Sequence, residues 1–103
     1  MDVVVKNALV ADGTGDPLAR HDVGITGGKI AEVADAGSLT GGRTIDADGL
    51  VLAPGFIDMH SHSDLQLLAN PDHPAKITQG VTTEVLGQDG LSYAPVDDVV
   101  LDA

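Results

Sequence analysis

The sequence predicts an α/β chain in two parts: a small β unit over residues 1–53, then from 54 to 103 the first units of a parallel β/α arrangement. Three observations carry this. Gly27-Gly28 separates the β-type runs Asp22-Val23-Gly24-Ile25-Thr26 and Lys29-Ile30-Ala31-Glu32-Val33, the pattern of a two-residue hairpin turn. From Pro54 onward, strand-like and helix-like stretches alternate. Between the two parts, Phe56-Ile57-Asp58-Met59-His60-Ser61-His62 is an apolar run ending in two histidines one residue apart.

Each element has its own reason. Val3-Val4-Val5 and Ala8-Leu9-Val10-Ala11 read as one strand or a bent pair, closed by the turn residues Asp12-Gly13-Thr14-Gly15-Asp16-Pro17. The glycine hairpin follows. Thr44-Ile45-Asp46-Ala47 and Leu50-Val51-Leu52 are short runs separated by Asp48-Gly49, which completes a unit expected to be antiparallel. Pro54-Gly55 then resets the chain for a strand over 56–61. Leu65–Ala69 reads as a short helix or turn, and 71–79 as a helix capped by Asn70 or Asp72 and stopped by Gly80. Val81–Leu86 is β-branched and strand-like, and Val96 to Leu101 reads as a starting helix.

Composition narrows the function classes. Sixteen acidic against five basic residues give a formal charge of −11, a surface that repels phosphate backbones and argues against nucleic-acid partners. The chain has no apolar run near the ~20 residues of a membrane span. It has no secretory leader pattern at Met1-Asp2-Val3-Val4-Val5-Lys6, so a cytoplasmic location is expected. With no cysteine there is neither a disulfide framework nor a thiolate ligand. At 43% apolar residues but only 2% aromatics, the core is expected to be Val, Leu, Ile and Ala. Chain length sets a tension, because a closed β/α barrel takes about 250 residues. A chain of 103 residues ending inside a helix-like stretch is expected to be an N-terminal fragment.

The histidines carry the chemistry. On a strand, side chains alternate, so His60 and His62 share a face with Asp58 while Ile57 and Met59 face the other way. Two neutral imidazoles side by side form half of a transition-metal site. Asp89, just past the next strand, lies at the same rim if strands 56–61 and 81–86 are neighbours. It reads either as a carboxylate ligand or as a turn residue beside Gly90. Asp58 and Asp64 are candidates to stand behind the ligands and orient them, although Asp64 can equally cap the helix that follows. His73, between Asp72 and Pro74, reads as a surface residue, and His21 as a loop residue without function.

The stretches Ala53–Asp64, Ile77-Thr78-Gln79-Gly80-Val81-Thr82-Thr83 and Gly87–Pro95 resemble the N-acyl-D-amino-acid deacylases (D-aminoacylases), a branch of the amidohydrolase superfamily. The resemblance covers nearly the whole chain. It implies a small β-sandwich portion over 1–53 and the truncated start of a TIM-like (β/α)8 barrel over 54–103. It further implies that His60 and His62 bind Zn²⁺ or another divalent ion, one or two ions in all, at the end of the first barrel strand. The family often has cysteine where Asp89 stands; Gly87-Gln88-Asp89-Gly90 offers a hard carboxylate in its place. The implied reaction is metal-assisted hydrolysis of the amide of a small-molecule N-acyl-D-amino acid, with no nucleic-acid or membrane partner. The general base is expected beyond Ala103, so the chain alone is expected to be inactive. A cyclic-amide hydrolase of the dihydroorotase or hydantoinase type is the alternative reaction, and a non-catalytic metal-binding fragment the alternative role.

Overall fold

A computed structural model describes residues 1–92, so the helix expected over Val96 to Leu101 lies outside the described residues. The chain divides into two compact units, Met1–Pro54 and Gly55–Ala103. Among the described residues, no helix is long and apolar enough to cross a membrane.

The first unit is one five-stranded sheet of β1 (Val3–Val10), β2 (Ala19–Thr26), β3 (Lys29–Asp35), β4 (Arg43–Asp46) and β5 (Val51–Leu52). Strands β1 to β3 form the expected antiparallel meander. Gly27 and Gly28 both have positive φ, 58° and 75°, as the tight turn of a twisted hairpin demands. The expectation of an all-antiparallel unit needs correction, because β4 and β5 both run parallel to β1 along its free edge. Residue pattern does not encode strand direction. The detour through β2 and β3 supplies the long connection that a parallel pair requires.

β1 is a single bent strand. Its register with β2 shifts between Val5 and Ala8, and Asn7 sits at φ 61°, a left-handed conformation that Asn tolerates better than most residues. The same break separates the stretch paired with β4 from the stretch paired with β5. Small aliphatic residues make the core. Val5, Ala8 and Ala47 pack with Val10 and Leu52, while Val4 is wholly buried. His21 lies on β2, not in a loop, and its Nδ1 is 3.2 Å from the Ala34 carbonyl.

The second unit contains β6 (Phe56–Asp58), α1 (Asp64–Ala69), α2 (Pro74–Ile77) and β7 (Val81–Glu84), with β6 and β7 paired in parallel. Strand, helices, strand is the predicted order, but each strand is shorter than expected. α2 is confined to four residues, and its N-cap is His73 at φ 42°, not Asn70 or Asp72. Pro74 explains the late start, since it suits the first helical position and disfavours helix just before it. Of the described residues in this unit, only Ser61 and Ser63 are buried.

Gly55, just before β6, lies against Thr82 of β7. A Cβ there would stand 2.1 Å from Thr82 Oγ1 and 2.7 Å from Thr82 Cβ, so rotating the threonine does not clear it. Gly55→Ala is therefore expected to destabilise the β6–β7 pair by about 1–3 kcal/mol, read as a lower denaturant midpoint for this unit.

Candidate metal centre

His60 and His62 do share a side, but not on a strand. β6 ends at Asp58, and both histidines lie in the irregular segment that follows it. Their rings stand edge to face, 5.3 Å between centroids at 76°. Asp89 reaches them from a 3₁₀ turn, Gln88–Gly90, five residues past the end of β7. It holds a left-handed backbone at φ 55°, which Asp adopts more readily than most residues. The turn is tied back by Gln88 Nε2, 3.4 Å from the Met59 carbonyl.

The three side chains converge on one point. Asp89 Oδ2 lies 2.9 Å from His60 Nε2 and 3.2 Å from His62 Nε2. All three potential ligand atoms fall within 4.8 Å of one another. A tetrahedral zinc with bonds near 2.05 Å separates its ligand atoms by about 3.4 Å, so this spacing fits a single divalent ion. Two imidazoles and a carboxylate also suit zinc chemically. Side-chain exposure is 59%, 44% and 66% for His60, His62 and Asp89, which leaves a side open for water or substrate. A hollow beside them is lined by His62, Asp64, Leu65, Gly90, Leu91 and Ser92.

The two aspartates expected behind the ligands behave differently. Asp58 Oδ1 accepts the backbone N–H of His60 at 3.2 Å, and its other oxygen pairs with Lys76 Nζ. The Lys76 hydrogen bond, then the His60 N–H, hold the Asp58 carboxyl below the usual range. Asp64 lies in the first turn of α1 with Oδ2 enclosed and no hydrogen bond to either histidine. The α1 cap is Ser63, without a side-chain cap bond.

Sequence reasoning missed a closed polar cluster. Its centre is Glu84, the residue register-paired with Asp58 across β6 and β7. Glu84 Oε1 lies 2.9 Å from the hydroxyls of both Ser61 and Ser63, which are 2.7 Å apart. His73 Nε2 is 3.4 Å from Glu84 Oε2 and 3.2 Å from Ser63 Oγ. Lys76 Nζ is 3.3 Å from Glu84 Oε1. His73 and Glu84 are only 12% and 10% exposed, so the reading of His73 as a surface residue is corrected. Burial pushes the Glu84 carboxyl up, but the two serines, Lys76 and His73 outweigh it and hold it below its ordinary value. Hydrogen bonding to Asp58 pushes the Lys76 ammonium up. The available signal was Glu84 itself, a lone charge inside a β-branched run.

Known proteins share this arrangement of chain. Residues 43–101 match the amidohydrolase family. The N-acyl-D-aspartate deacylase of Alcaligenes xylosoxydans xylosoxydans is 44% identical over 95 residues, 92% of this chain and 19% of that protein. The crystal structure of N-acyl-D-glutamate deacylase from Bordetella bronchiseptica, complexed with zinc and a phosphonate mimic of the tetrahedral intermediate, matches with a TM-score of 0.85. That match is at 41% identity and covers 92% of this chain and 20% of the other. A D-aminoacylase structure described for its binuclear metal centre matches with a TM-score of 0.84 at 45% identity over the same shares. L-hydantoinase from Arthrobacter aurescens is a weaker likeness, with a TM-score of 0.54 and 64% of this chain covered. The chain spans about a fifth of the length of the curated relatives it matches. Both histidines, Asp89 and the strands β6 and β7 that precede them fall inside the matched segment, and this chain belongs to the amidohydrolase family.

Proposed function

We propose that this chain carries metal-binding residues of an N-acyl-D-amino-acid deacylase, a hydrolase of the amide bond between an acyl group and a D-amino acid. His60, His62 and Asp89 hold a divalent ion, zinc or a close substitute, in a centre of one or two ions. The observation that carries the reading is the convergence of two Nε2 atoms on Asp89 Oδ2 from positions 29 and 27 residues away in sequence. The relatives point to the substrate class, since both an N-acyl-D-aspartate deacylase and an N-acyl-D-glutamate deacylase match along nearly the whole chain. Residues 1–53 then correspond to a small β-sandwich portion and 54–103 to the start of a (β/α)8 barrel.

A bound divalent ion supplies Lewis acidity at the scissile carbonyl and makes water a nucleophile at neutral pH. The chain's own residues do the rest. Asp58 holds the peptide N–H of His60, and the exposed side of the triad admits the acyl group. Asp89 is engaged as a ligand, and Asp58 and Glu84 are tied to Lys76, so none of the three is free as general base. We propose further that the chain by itself binds the ion without turnover.

Two measurements test this. Equilibrium dialysis with zinc is expected to leave about one chelator-removable ion per chain, and no binding overturns the metal assignment. The substrate class is tested by placing this chain in the matching segment of the Alcaligenes N-acyl-D-aspartate deacylase. The chimera is expected to release aspartate from N-acetyl-D-aspartate in preference to the L-form, and to lose that activity with His60→Ala. A folded, zinc-loaded chimera that is inactive overturns the substrate class.

A further inference from the structure

The two histidines sit where the sheet no longer holds the chain. The β6–β7 ladder ends at Asp58–Glu84, and His60 and His62 follow in irregular backbone. Ser61 and Ser63 alternate with them, so each hydroxyl belongs to a residue next to a histidine on the opposite side of the chain. One carboxylate oxygen, Glu84 Oε1, lies 2.9 Å from both hydroxyls. Each hydroxyl can donate its one proton to this oxygen, and the two hydroxyl oxygens lie 2.7 Å apart. Asp58 fixes the next point upstream through the His60 N–H.

This arrangement brings two carboxylates side by side on paired strands, where like charges oppose pairing. Lys76 from α2 lies against both and cancels the repulsion. An enclosed cluster of charges gives no stability advantage over apolar packing, because desolvation offsets the attraction. Its distinct property is fixed geometry. Hydrogen bonds specify where two serine oxygens lie in a way that apolar contacts do not.

We propose that Glu84 and Lys76 are positioning residues of the metal centre: through Ser61, Ser63 and Asp58 they clamp residues 58–63 and set the spacing of His60 and His62. The clamp rests on the metal reading above but is also a statement about the backbone, and its test separates the two. In the full chain, Glu84→Gln and Lys76→Met are expected to weaken zinc binding about tenfold to a hundredfold, the range seen when groups behind metal ligands are removed. They are also expected to change the visible spectrum of the cobalt-substituted protein and to speed amide exchange at His60. Lys76→Arg, which still reaches both carboxylates with a cation, is expected to restore most of the affinity.

The Val85 amide, which donates to the Asp58 carbonyl at 2.8 Å, is the control for intact β6–β7 pairing. If Val85 stays protected while zinc affinity remains at the wild-type level, the clamp is overturned, whatever happens at His60. If Glu84→Gln unprotects Val85, Ser61→Ala and Ser63→Ala replace it under the same criteria. If the wild-type chain takes no zinc, the metal reading fails, and unchanged His60 exchange in the variants then overturns the clamp separately.

Discussion

Replacing His60 with alanine is expected to weaken zinc binding by more than a hundredfold, with His62→Ala equal to it and the fold of both units unchanged. The size follows from coordination. Removing a group behind a ligand costs ten- to a hundredfold in affinity, and removing the ligand itself takes away a bond to the ion. The three donor atoms form the whole protein contribution among the described residues, so two remaining donors define neither a tetrahedral face nor a preference among metals. Unchanged folding follows from exposure: His60 and His62 are 59% and 44% exposed, so alanine leaves no buried cavity. The measurement is competition against a chromophoric chelator, with circular dichroism as the folding control. Wild-type affinity in both variants would move the site away from the histidine pair.

How much of this was legible in the sequence differs residue by residue. The period-2 argument brought His60 and His62 together, but the strand it assumed stops at Asp58, and Asp58, expected on the histidine face, joins Lys76 and Glu84 beside Ser61 and Ser63 instead. Alternation survives because Ser61 and Ser63 bind inward, a pairing with Glu84 that lies more than twenty residues away. Asp89 was expected at a strand end and stands in a 3₁₀ turn beyond it, because Gly87 to Gly90 form their own local structure. His73 looked solvent-facing from its neighbours Asp72 and Pro74. What encloses it is Glu84 and Ser63, and local composition contains no trace of them. The hairpin at Gly27-Gly28 was readable because both its glycines and its flanking strands are local. The parallel direction of β4 was not, since it depends on which edge of the meander the chain returns to.

The second large effect is expected at Asp22, which binds nothing catalytic. Asp22→Ala is expected to cost about 4 kcal/mol, most of the stability of a unit this small. The carboxylate is fully buried and accepts three backbone N–H groups. Oδ1 takes Asn7 and Gly37, both at 2.9 Å, and Oδ2 takes Leu39 at 3.1 Å. One side chain thus ties the bulge of β1 to the connection between β3 and β4, and alanine leaves three donors unmet at about 1–3 kcal/mol each before relaxation. Asparagine can keep its carbonyl at the Oδ1 position and retain two of the three bonds, so Asp22→Asn is expected to cost about half as much. pH separates the charge from the shape. Burial pushes the Asp22 carboxyl up, but the N–H groups of Gly37, Asn7 and Leu39, with Lys6 nearby, outweigh it and hold it below its ordinary 3.8. A carboxyl depressed in the folded state stabilises above its unfolded value and loses that contribution as pH falls through the folded one. The gap between wild type and Asp22→Asn should therefore be constant from pH 7 to about pH 5 and close below about pH 4. Urea midpoints for the two proteins across that range check it; a gap that persists undiminished at pH 2 would show that the amide's shape, not the lost charge, destabilises the fold.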